Sequence, residues 1–146
     1  MKVVIQRSKE SSVKVEDKIV GKIAYGMVLL ICFEKGDNET AVTKAIHKIT
    51  NVRMFEDPQT KKMSLNLQQV NGEILCISQF TLSWEGEKGH RPSFDNSLPP
   101  DDARSLYNKF CEGLISAGFV VASGVFGAYM EVNITNDGPV TFILKF

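Results

Sequence analysis

The chain has 146 residues, 43% of them hydrophobic and 23% charged, which fits a single globular domain (1–146) with a real core. Its 17 basic and 17 acidic residues cancel. That argues against a protein that coats long stretches of nucleic acid through many phosphate contacts, and leaves room for one that touches only the end of an RNA.

In chain order, 3–6 (VVIQ) and 12–17 (SVKVED) read as strands, with Val13 and Val15 alternating with polar neighbours. The segment GKIAYG (21–26) carries turn glycines at both ends. The longest apolar run, MVLLICF (27–33), reads as a strand covered on both faces. It is far shorter than the about 20 residues a membrane-spanning helix needs, and the N-terminus has no apolar run of signal-peptide length. A cytoplasmic protein with no membrane partner is expected. Residues 39–54 show helical spacing at Ala41, Val42, Ala45, Ile46, Ile49 and Val52, with Asp37 or Asn38 as the cap. A loop at 56–62 precedes a second apolar strand, EILCISQFTL (73–82). The segment 83–100 holds three prolines and two glycines, and irregular segments of this length in small domains tend to be functional. A second amphipathic helix is predicted from about 101 to 117, with Ala103, Leu106, Phe110 and Leu114 on one stripe and Asp101 and Asp102 at its positive end. The last section, GAYMEVNIT and VTFILKF, reads as paired strands, with Phe142, Leu144 and Phe146 facing one way. Strands in groups with two helices between them give an α+β class, a layered β/β/α domain.

Chemistry is sparse. The three cysteines, Cys32, Cys76 and Cys111, are odd in number and form no C-x-x-C, so reduced thiols are expected rather than disulfides or zinc ligands. The two histidines, His47 and His90, read as a solvated helix residue and a loop residue. No G-x-S-x-G, H-E-x-x-H or P-loop is present. Two stretches stand out. Ser78-Gln79-Phe80-Thr81-Leu82 ends an apolar strand, where a rigid scaffold can present amides and hydroxyls. Thr81 is a weak nucleophile without a base, so donation to a developing oxyanion is the better use of the segment. Asn136-Asp137-Gly138-Pro139 reads as a four-residue turn, or as a cis Gly-Pro bond that lets main-chain carbonyls approach a ligand.

SQFTL (78–82) and NDGPVT (136–141) together resemble the paired signature of the D-aminoacyl-tRNA deacylases. VIQR (4–7), EKGD (34–37), KGHRPSF (88–94) and FGAYM (126–130) extend the resemblance across the chain. It implies a homodimeric enzyme that cleaves the ester between a D-amino acid, or glycine, and the 3′-terminal adenosine of tRNA, sparing L-aminoacyl-tRNA. It implies neither cofactor nor metal. Ser78, Gln79, Phe80 and Thr81 would form the catalytic segment, acting mainly through main-chain amides, with the ribose 2′-hydroxyl assisting and water attacking. Gly138 and Pro139 would enter the partner subunit's site and exclude an L side chain, with Arg7 bracing them. Phe126, Gly127, Ala128 and Met130 would line the adenosine side, and Lys88 and Arg91 would touch tRNA phosphates.

Overall fold

The computed structural model describes residues 1–86 and 89–146. Its strands are β1 (Lys2–Ser8), β2 (Ser11–Val15), β3 (Lys18–Ile23), β4 (Gly26–Cys32), β5 (Phe55–Glu56), β6 (Met63–Leu65), β7 (Glu73–Ser78), β8 (Val121–Ser123), β9 (Glu131–Asn133) and β10 (Asn136–Lys145). Its helices are α1 (Glu39–Asn51) and α2 (Pro100–Ser116), and a 3₁₀ turn, Phe80–Ser83, follows β7.

Five strands form the central sheet in the order β10-β1-β4-β7-β8, with β4-β7 and β7-β8 parallel and the others antiparallel. Strands β3-β2-β9 form a second sheet, and β5-β6 a short hairpin around the expected loop. Side chains of β4 and β7 alternate between two cores. Met27, Leu29, Ile31, Ile74 and Cys76 join Val42, Ala45, Ile49, Phe110 and Leu114 of the helices. Val28, Leu75 and Ile77 join Val13 and Ile23 of the small sheet. The continuous apolar runs follow from this double coverage, and the layers are small sheet, central sheet, helices.

Both helices stand where the periodicity puts them. Asn38 caps α1, its side chain accepting from the amides of Thr40 and Ala41 at 2.9 and 3.4 Å. Asp37 instead accepts from the Glu34 amide at 2.6 Å. Proline opens α2, with Asp101 and Asp102 in its first turn.

Three expectations change. The C-terminal strands do not pair with each other: β9 pairs with β2, and β10 with β1. Residues 136–139 are accordingly the start of β10 rather than a hairpin turn, and Gly138-Pro139 is cis. The strand at 73–82 ends at Ser78, and the rest of SQFTL winds into the 3₁₀ turn. The GKIAYG glycines bracket the end of a strand, β3, with Gly26 already in β4.

Gly26 takes a φ of +150°, and a Cβ there would lie 2.0 Å from the Glu73 carbonyl oxygen. Gly26→Ala is expected to destabilise the fold by about 3 kcal/mol, from backbone strain and from overpacking at the β4–β7 contact. The midpoint of urea unfolding measures it, and an unchanged midpoint would contradict this packing.

Candidate active site

The parallel register places Ile31 opposite Ser78, so β4 and β7 finish side by side. Beyond those ends lies a cavity of about 620 Å³, within the range of small-molecule sites. Ser78, Gln79 and Phe80 form one wall; Phe126 through Met130 form the other. The long irregular segment closes part of the mouth. It is pinned by Lys35 N–H to the Asn96 carbonyl at 2.9 Å and Leu98 N–H to the Phe33 carbonyl at 3.0 Å. Phe94, carried on it, packs edge-on against Phe80 at 5.0 Å between centroids.

The 3₁₀ turn closes through Leu82 N–H to the Gln79 carbonyl and Trp84 N–H to the Thr81 carbonyl, both at 3.2 Å. The amides of Phe80 and Thr81, at its opening, stay outside this ladder, as the first amides of any such turn must. Gln79 Nε2 donates to Thr81 Oγ1, so the threonine oxygen is engaged as an acceptor. Thr81 itself lies just beyond the cavity lining. Cys32, expected from sequence only to be a reduced thiol, also lines the cavity, and its thiol donates to the Phe80 carbonyl at 3.5 Å. Burial pushes this thiol up to about 11, with the Glu34 carboxylate adding to it, so it remains a neutral donor at physiological pH.

On the opposite wall Phe126 is held between Tyr107, at 5.8 Å, and the Arg104 guanidinium, at 4.9 Å from the ring centroid. The buried Tyr107 hydroxyl donates to the Cys76 carbonyl at 2.8 Å, tying α2 to β7 behind the site. Arg104 was not singled out from sequence. It reads there as one exposed helix residue among many, and only the folded arrangement brings it to Phe126.

Arg7 and Gly138-Pro139 lie elsewhere. Arg7 Nε donates to the Asp137 carbonyl at 3.1 Å and lies 3.2 Å from its carboxylate; Nη1 donates to the Met54 carbonyl at 2.9 Å. Asn136 Nδ2 donates to the carbonyls of Arg7 and Val140, both at 3.0 Å. The braced corner leaves Gly138 and Pro139 exposed. Lys2 pairs with Cys32 at the cavity end of β1, whereas Arg7 pairs with Met27 five residues on. At about 3.3 Å per residue, cavity and corner stand about 16 Å apart along the sheet. Within one chain they do not meet.

Arg91 is exposed in the long segment and outside the cavity lining; Lys88 falls outside the described residues. His47 and His90 are both exposed and away from the cavity. Among the described residues no helix is long and apolar enough to cross a membrane.

The family described as D-Tyr-tRNA(Tyr) deacylase matches residues 4–145. A D-aminoacyl-tRNA deacylase of Pelobacter propionicus is 46% identical over 99% of this chain and 99% of its own length. The solved structure of a c-Myc DNA Unwinding Element Binding Protein superposes with a TM-score of 0.95 at 38% identity, covering 100% of this chain and 99% of that one. A probable eukaryotic D-amino acid tRNA deacylase shares the fold, with a TM-score of 0.83 at 20% identity over 98% of this chain and 97% of the other. The chain belongs to the D-Tyr-tRNA(Tyr) deacylase family.

The raised Cys32 pKa fixes a pH dependence. The folded state keeps the proton that the unfolded chain releases near its ordinary value of 9.0, so this contribution to stability is full below pH 9 and is lost as pH rises through about 11. Urea midpoints at pH 8 and pH 10.5 are expected to fall further for the wild type than for Cys32→Ala. Equal declines would contradict the assignment.

Proposed function

We propose that the protein is a hydrolase of the ester joining a D-amino acid to the 3′-terminal adenosine of tRNA, acting in the cytoplasm, and that each of its sites is built by two copies of the chain. One observation carries this reading. The walls that match the family's SQFTL and FGAYM segments face each other across one cavity, while the matching Gly138-Pro139 corner sits exposed about 16 Å away along the sheet.

In this reading the adenosine lies along Phe126, Gly127, Ala128 and Met130, and the ester carbonyl lies at the opening of the 3₁₀ turn. Water attacks the carbonyl carbon. The amides of Phe80 and Thr81 donate to the oxygen as it gains charge, the kind of fixed-dipole stabilisation that commonly contributes most to acyl transfer. The C–O bond to the ribose 3′-oxygen then breaks, and the adjacent 2′-hydroxyl passes the proton from the attacking water to that oxygen. The products are the free amino acid and tRNA. Main chain and substrate together supply what a histidine base supplies elsewhere, which suits a cavity with no histidine in its lining. Ser78 and Gln79 hold the turn's entry, and Thr81 positions rather than attacks.

Handedness is tested by the second copy. Its Gly138-Pro139 main chain occupies the space an L side chain needs, a rejection by exclusion. Arg7, fixed on three oxygen atoms, keeps the corner in shape. A glycyl ester has no side chain to exclude and is hydrolysed too. Arg91, with Lys88, meets phosphates of the acceptor end.

Purified protein is expected to hydrolyse D-Tyr-tRNA and Gly-tRNA and to spare L-Tyr-tRNA; a protein without D-over-L preference would end this reading. Thr81→Ala is expected to stay within about tenfold of wild type, because loss of a covalent nucleophile costs on the order of 10⁶. A trapped acyl-enzyme would favour a covalent esterase instead. The shared site has its own test. Ala128→Trp fills the cleft, and at Gly138 a Cβ would lie 2.7 Å from Arg7 Nη2, so Gly138→Ala displaces the corner. Each variant alone is expected to be inactive. Mixed after unfolding and refolding together, they regain one working site per heterodimer, and failure to regain activity would place cleft and corner in the same chain.

A further inference from the structure

We propose that Tyr129 and Arg104 form a rim that holds the single-stranded nucleotides preceding the terminal adenosine, Tyr129 by stacking on a base and Arg104 by pairing with a backbone phosphate. This inference rests on the deacylase reading and deepens it.

Tyr129 is 89% exposed, the most exposed of the large hydrophobic side chains among the described residues. Its neighbours Ala128 and Met130 turn inward and are half-buried. Tyr129 stands between them at the cavity mouth with its ring in solvent. The fold gains nothing from burying this ring, and its hydroxyl makes no hydrogen bond among the described residues. An aromatic plane presented in this way beside a nucleoside-sized cavity is suited to a second base.

Arg104 supplies the charge. Its guanidinium lies against Phe126, and Nη2 sits 4.0 Å from where a side-chain carbon on Gly127 would be. It makes no ion pair among the described residues. Asp101 and Asp102, in the first turn of the same helix, disfavour a phosphate at the helix start itself. A cavity of about 620 Å³ accommodates one nucleoside with its amino acid, so the strand before it must leave through this mouth. Aromatic stacking joined to a nearby cation is how proteins hold single strands with little sequence preference, and it needs no basic net charge.

The test compares two esters, D-Tyr on an acceptor-stem minihelix and D-Tyr on adenosine alone. Tyr129→Ala is expected to lose at least about fivefold more kcat/KM on the minihelix than on the nucleoside ester, the lower end of what one stacked base contributes. Tyr129→Phe keeps the ring and is expected to retain minihelix activity. Arg104→Ala is expected to weaken minihelix turnover with a shallower dependence on salt. Equal losses on both esters would put Tyr129 on the adenosine wall and overturn the rim. No loss on either would overturn it as well, and would leave the ring to a protein partner. Wild-type protein inactive on both esters would remove the deacylase reading itself, and this one with it.

Discussion

The register between β4 and β7 is the constraint on which the rest hangs. Both strands are covered on both faces, so a slip of one residue would send Met27, Leu29 and Ile31 into the small-sheet core and Val28 into the helix core. The two cores differ in shape and size, and neither accepts the other's residues without voids or clashes. The pairing therefore holds Ile31 against Ser78. The turn that follows β7 starts from a fixed point, and its opening amides inherit that position. Gln79 N–H, donating to the Ile31 carbonyl at 2.7 Å, is the joint between the rigid pair and the turn.

The same sheet separates two kinds of chemistry. At one end the main chain offers amides with no partner among the described residues, beside an apolar cavity. At the other, a guanidinium largely enclosed by protein gathers two carbonyls and a carboxylate around an irregular start of β10. Strand β1 joins the two ends, carrying Lys2 near the cavity and Arg7 at the corner. Lys2 is itself tethered, its ammonium 2.8 Å from the Glu34 carboxylate, and that hydrogen bond raises its pKa despite burial. Lys2 thus holds the frame beside the cavity, while the neutral Cys32 thiol faces its interior.

Much of this was legible in the sequence where local pattern and tertiary fate agree. The stripes of α1 and α2 and the continuous apolar runs of β4 and β7 are such cases, because burial decides both pattern and structure. The C-terminal pairing was misread because Asn136-Asp137-Gly138-Pro139 carries every local mark of a hairpin. The winning contacts, β10 with β1 and β9 with β2, join residues more than 100 positions apart, which no local signal encodes. The strand character of β3 was obscured because Ile19 and Val20 are exposed and break a simple in-out alternation. The segments around Ser78 and Phe126 stood out by resemblance rather than by periodicity. Cys32 and Arg104 carried no signal of their own: one reads as a strand thiol and the other as an exposed helix residue, and only the tertiary arrangement brings them to the cavity and to Phe126.

The amides of Phe80 and Thr81, without a partner among the described residues, have a consequence for how such a chain can vary over generations. Every amino acid except proline brings the same N–H, so what the main chain offers here depends on the curl of the segment, and side-chain identity matters where it shapes that curl, as the hydrogen bond from Gln79 to Thr81 does. A substitution that spared both the curl and that hydrogen bond would leave the same two N–H groups in the same place.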